Sequence, residues 1–227
     1  MTENSRPTKV YARFHMDEKS GLTYRTNTIL QFGNSWNIIG AAILTNPGSA
    51  IIAEEKVSTE ALKQLANLTG NNDNWSIVNF NRDTTIRDWL PRIFNGYFAH
   101  QGEHGLSGII LLYNLFNIKN QDLGKAVESY QKAQSPFLYT TATDIALINK
   151  APIVYLGWGN VAQHELFKER AIELFSAINP NIRSHYDAAF EKNTFYHPRA
   201  ICLGYKRWNG VQNLMSAFYK NFSSLKH

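Results

Sequence analysis

The 227-residue chain is 44% hydrophobic, enough to bury a sizeable core in one α/β domain over residues 1–227, and it is short for two independent domains. Its single cysteine, Cys202, excludes an internal disulfide, and no apolar run is long enough for a membrane span or a leader peptide, so a soluble, cytoplasmic, monomeric protein is expected. A net charge of +5 with 13% aromatic residues favours an anionic partner without identifying it.

In chain order, residues 9–15 and 23–32 read as an antiparallel pair joined by the turn-rich stretch 17–21, an N-terminal β-hairpin extension within residues 1–35. Residues 36–44 form a short apolar run stopped by Thr45-Asn46-Pro47-Gly48-Ser49, which predicts a buried strand ending in a stiff turn. Ser58 caps a helix running towards Gly70, and 70–74 is a loop. Residues 82–99 follow as a second helix with Asp83 or Thr84 as cap and Ile86, Leu90, Ile93 and Phe94 on one face. Pro91 inside that pattern predicts a kink or a late start.

Residues 107–116 are the clearest buried strand, followed by helical stretches at 122–133 and 136–149. A third buried strand is expected at 152–158, an amphipathic helix at 161–178 stopped by Asn179-Pro180, a fourth strand at 195–205 and a closing helix at 209–225. Buried strands alternating with helices predict a three-layer α/β/α domain with a central, mainly parallel four-stranded sheet.

Polar groups stand at four of these strand ends: Asn46, Asn114, Trp158-Gly159-Asn160 and His197-Pro198-Arg199. The C-terminal ends of parallel strands gather at one edge and line one crevice, which is where open α/β sheets bind ligands. Taken singly, Asn46-Pro47-Gly48 is also an ordinary strand-ending turn, and the Asn114 amide could simply cap a sheet end.

The order of these motifs resembles the uracil-DNA glycosylase superfamily. Leu44-Thr45-Asn46-Pro47-Gly48-Ser49 is similar to its first motif, which reads Gly-Ile-Asn-Pro-Gly in the mismatch-specific branch and Gly-Gln-Asp-Pro-Tyr in the uracil branch. Gly108 to Asn114 resembles the strand ending in the Asn that hydrogen-bonds an extruded base. Val154 to Gln163 is similar to Leu-Leu-Trp-Gly-Ser-His-Ala-Gln, and His197-Pro198-Arg199-Ala200-Ile201 to the His-Pro-Ser-Pro-Leu motif whose loop enters DNA. An uncharacterised bacterial family with Asn-Pro-Ser-Thr-Ala, Asp-Pro-Thr-Ile-Arg, Asn-Leu-Phe and Trp-Gly motifs is also similar, at residues 46–50, 83–87, 114–116 and 158–159. The likeness covers residues 36–222 and leaves the hairpin outside. The chain departs from it in lacking the Ser of the His-Pro motif and in the long insertion 51–106.

The resemblance implies a monofunctional DNA glycosylase that flips out a modified or damaged pyrimidine and hydrolyses its N-glycosidic bond. By that likeness Asn46 orients the attacking water and His197 donates to the base O2 as charge develops there. Asn114 reads the base edge, Phe80 stacks on the base, and Ile201 is the wedge that fills the gap in the duplex. For Phe80 and Ile201 the residues themselves read equally well as core. Gly48 replaces the Tyr that blocks the 5-methyl of thymine, which implies room for bulky 5-substituted bases such as those of phage DNA, and hence a role in antiviral defence. Arg199, Lys206 and Arg207 would grip phosphates, though a charge cluster also reads as a solvated face.

No cofactor is expected. His100 and His104 have i,i+4 spacing, but Gly102 and Gly105 break the helix that a metal site there would need. No Lys stands at the nucleophile position for a Schiff base, so the strand would be left uncut. Two other classes fit the same residues: a non-catalytic binder of modified DNA, and an N-glycoside hydrolase of free nucleotides that would need neither wedge nor basic face.

Overall fold

The computed structural model describes residues 6–100, 102 and 105–204. Strands β1 (Lys9–Asp17) and β2 (Leu22–Phe32) form the expected hairpin. Its turn is held by the Asp17 carboxylate, which accepts from the Ser20 hydroxyl at 2.7 Å and the Lys19 N–H at 3.1 Å. The chain continues through β3 (Ile38–Leu44), β4 (Ile51–Ile52), α1 (Thr59–Thr69), β5 (Trp75–Asn79), α2 (Leu90–His100) and β6 (Gly108–Asn114). Then come α3 (Leu123–Tyr130), α4 (Ala142–Ile148), β7 (Val154–Leu156), α5 (Glu165–Ala177) and α6 (Pro198–Gly204).

The sheet corrects the expectation of four mainly parallel strands. It has seven strands in the order β4-β5-β1-β2-β6-β3-β7, and only β6, β3 and β7 run parallel; every other pairing is antiparallel. Nor is the hairpin an extension: β2 pairs with β6 and β1 with β5, so both strands are internal. The last five residues of β2 are all buried, as a strand with neighbours on both sides requires. The insertion 51–106 supplies β4, β5, α1 and α2; α1 packs its Ala61 and Leu65 in one apolar cluster with Trp75 and Ile77 of β5, while Ile51 and Ile52 of β4 stay exposed.

Successive residues of the central strands point to opposite faces. Ala41 and Ile43 of β3, with Ile109, Leu111 and Tyr113 of β6, join one apolar cluster with buried residues of α1, α3, α4 and α5. Ala42, Leu44, Ile110 and Leu112 join a second with Leu90, Ile93 and Phe94 of α2 and Ile201 and Cys202 of α6. The result is a sheet covered by helices on both faces.

Helix boundaries follow local chemistry. Ser58 caps α1 by accepting from the Ala61 N–H, and Gly70 ends it in the left-handed region. Before α2 the chain makes a π turn over Thr85–Trp89, in which the Leu90 N–H reaches back to the Thr85 carbonyl. That wider turn stands just ahead of Pro91, which has no N–H and would crowd a tight turn. The face of Ile86, Leu90, Ile93 and Phe94 is buried as expected. The 136–149 helix starts later than expected, at Ala142, because Thr141 and Asp144 form a capping box.

The expected fourth strand at 195–205 is instead helix α6. Its apolar run is too short for periodicity to separate strand from helix, and Pro198 suits the first position of a helix, where an N–H has no partner to lose. The closing helix at 209–225, with Lys206 and Arg207, lies outside the described residues. No described helix is long and apolar enough to cross a membrane.

Candidate active site

The C-terminal ends of the three parallel strands open into a cavity of about 640 Å³. Asn46 enters it from the turn after β3, Asn114 from the last residue of β6, and Trp158, Gly159 and Asn160 from the segment after β7. Asp83, Ile86 and Trp89 line one wall, and Tyr196, His197 and Arg199 another. Two hydroxyls brace the strand ends: Thr45, after β3, donates to the carbonyl of Trp158, after β7, and Thr140, in the loop before α4, donates to the Asn114 carbonyl, both at 2.9 Å.

The Asn46 amide is fixed by the backbone around it. Its Nδ2 donates to the carbonyls of Asn120 at 2.9 Å, Pro47 at 3.1 Å and Ile118 at 3.4 Å. Three acceptors on one side decide which end of the amide is nitrogen, so Oδ1 is the end left to accept a hydrogen bond from water or ligand. Asn114 is 3% exposed, and its side-chain amide makes no hydrogen bond to the described residues. A buried amide that lines a cavity with no partner among the described residues is free to hydrogen-bond a ligand.

His197 stands directly before α6, and its Nδ1 accepts from the Arg199 N–H at 3.2 Å. Burial pushes its pKa down to about 4, against the Asp83 carboxylate, which raises it. The ring is therefore neutral at pH 7, and with Nδ1 accepting, the proton sits on Nε2 as a donor.

Sequence reasoning missed the buried ion pair of this cavity. Arg25 of β2 and Asp83 both line it, with Arg25 Nη1 at 3.8 Å from Asp83 Oδ2 and their side chains only 2% and 6% exposed. Burial lowers the Arg25 pKa from its usual value and the Asp83 charge opposes this, yet a guanidinium stays protonated. Asp83 Oδ1 accepts from the Ile86 N–H at 3.2 Å, so the residue is also the cap the sequence suggested. Its position in the motif Asp83 to Arg87 was the signal available; for Arg25 the sequence offered none beyond a charge inside a strand.

Asp83 also changes the meaning of Gly48. A Cβ at Gly48 would lie 3.1 Å from Asp83 Oδ2, so the space above this glycine is taken in part by a carboxylate rather than left wholly to a ligand. Phe80 and Ile201 do not line the cavity. Phe80 packs against the second apolar cluster, and Ile201, 6% exposed, lies within it; a wedge has to project, and this side chain is buried. Arg199 is exposed at the rim, its guanidinium 6.0 Å from the Trp89 ring centre.

Compared with known proteins, the chain matches no family model, no curated protein and no solved structure. Among the described residues, no group of three His, Cys, Asp or Glu side chains is placed to hold a metal ion. The cavity lining brings together amides, a neutral imidazole, a buried ion pair and aromatic rings.

Proposed function

We propose that this protein is a monofunctional DNA glycosylase, which admits an extruded modified or damaged pyrimidine to the cavity and hydrolyses its N-glycosidic bond. The observation that carries the reading is the convergence of three unused hydrogen-bonding ends in one cavity: Asn46 Oδ1, the Asn114 amide and the His197 Nε2–H. Each suits one requirement of the reaction. Asn46 Oδ1 orients a water, Asn114 offers one donor and one acceptor to a base edge, and the neutral His197 donates to a base carbonyl as it becomes negative. A cavity of about 640 Å³ is within the range that holds a small-molecule ligand, and is roomy for a substituted pyrimidine.

The test is hot-alkali cleavage of oligonucleotides carrying uracil, a thymine mismatch, 5-hydroxymethylcytosine or its glucosylated form. The native protein is expected to create alkali-labile sites on at least one, and Asn46→Ala to lower the rate about a hundredfold. Salt-sensitive binding without cleavage on every substrate would instead make the protein a binder of modified DNA.

A further inference from the structure

We propose that Arg25 is a ligand-binding residue: together with the Trp158 indole N–H, its guanidinium receives the hydrogen-bond-accepting edge of a neutral heterocycle, a carbonyl oxygen or ring nitrogen. The assignment rests on the nucleobase reading above and gives the base a partner that none of the sequence motifs supplies.

Arg25 is 2% exposed, and neither Nε nor Nη1 has a hydrogen-bond partner among the described residues. Asp83 at 3.8 Å balances the charge from beyond hydrogen-bond range, so the donors stay unused. Trp158 is fully buried, and its Nε1–H is likewise without an acceptor among the described residues. A guanidinium cannot shed its proton to escape this, and buried donors left unmade are among the costlier features a fold can retain. Both side chains line the same cavity. These three donor atoms are closed off from water, so the lining side chains shift as the ligand's acceptors reach them.

Charge decides which ligand. Arg25 and Asp83, which line the buried end, sum to zero and His197 is neutral; Lys119 is near enough for its charge to act on Arg25 but does not line the cavity, so a phosphate here would still face the Asp83 carboxylate. A phosphate is better met at the rim, where Arg199 is exposed. A neutral ring suits the buried end, and it turns negative during the reaction. As the bond from the sugar C1′ to the ring nitrogen breaks, the electron pair goes to the ring, and Arg25 meets the resulting anion more strongly than the neutral base. Water oxygen bonds to C1′, its proton passes to solvent, and the ring anion later takes a proton from solvent.

Thermal unfolding in the presence of free uracil, cytosine, 5-hydroxymethylcytosine or inorganic phosphate tests this without requiring turnover. The native protein is expected to gain Tm with at least one base, by more than any gain from phosphate held at the rim. Arg25→Lys keeps a cation opposite Asp83 but loses the planar fork of donors, so its own Tm should stay near native while the base-induced shift disappears. If that variant does not fold, Trp158→Phe serves instead: it removes the indole N–H together with part of the ring's volume, and, with Tm of the free variant read as the control for lost packing, base affinity should fall several-fold. An unchanged base shift in the folded variant, or a native protein that responds to phosphate alone, would overturn the assignment. Cleavage of oligonucleotides without free-base binding would overturn it and leave the glycosylase standing; base binding without cleavage of any oligonucleotide would do the reverse.

Discussion

Asp83 answers two demands, the free N–H of Ile86 and the charge of Arg25, and the two can be separated. Asn caps a helix about as well as Asp, so Asp83→Asn preserves the cap and removes only the counter-charge. Leaving a buried guanidinium unpaired is expected to cost about 3–5 kcal/mol, read as a lower urea midpoint. Arg25→Met combined with Asp83→Asn should recover most of that loss, and strictly additive losses would show that the two groups are not coupled. Three histidines set the acid side of stability. Burial holds His15 and His197 down to about 4 and His185 down to about 3, while the unfolded chain titrates near the ordinary value of 6.5. Between these values the unfolded state binds more protons, so stability is full above about pH 6.5 and is lost as pH falls towards 4. Urea midpoints measured from pH 7.5 to 4.5 should decline through that window. The activity profile should carry no inflection near 6.5, because the native His197 stays neutral across it.

Helix α2 reaches its place through a glycine. A Cβ on Gly40 of β3 would stand 2.3 Å from Cε1 of Phe94, a buried residue of α2, so the bare backbone lets the helix lie directly on the sheet. The π turn ahead of α2 then carries Ile86 and Trp89 into the cavity wall, with Asp83 just before it. Gly40→Ala is expected to cost about 1–3 kcal/mol in denaturant unfolding and, by lifting that wall, to slow turnover as well. Full activity in a destabilised Gly40→Ala protein would mean that the wall does not depend on this contact. At this scale the chain was legible wherever a local rule fixes an ending: Ser58 and Gly70 for α1, or the Asn46-Pro47-Gly48 stop after β3. It was not legible at 195–205, where the apolar run is too short to show a period and the helix starts at Pro198. Five-residue β5 was passed over because its pairing with β1 and β4 is set by tertiary contact rather than by its own pattern.

For the whole molecule, the buried-strand pattern revealed the parallel trio β6, β3 and β7, and with it the edge where Asn46, Asn114 and Trp158 meet. It could not reveal that the hairpin enters the same sheet, because a strand's neighbours are a long-range choice that its own alternation does not encode. That choice brings Arg25 to the cavity from a strand that none of the sequence motifs covers. The resulting charge layout is divided: a buried ion pair that sums to zero inside, an exposed cation at the rim, and a net charge of +5 over the chain. If the rim follows a nucleic-acid backbone, each phosphate contact releases counterions, and log K should fall linearly with log salt at a slope of about 0.9 per contact on duplex DNA. Arg199→Ala is then expected to weaken binding about equally on all sequences and to reduce that slope by about one, in titrations of a fluorescent duplex from low to moderate salt. Replacing interior residues such as Asn114 should leave the slope alone, because they touch no phosphate. A slope that Arg199→Ala does not change would put the phosphate path elsewhere on the surface, and a native protein with no salt dependence would remove DNA as the partner and favour hydrolysis of free nucleotides.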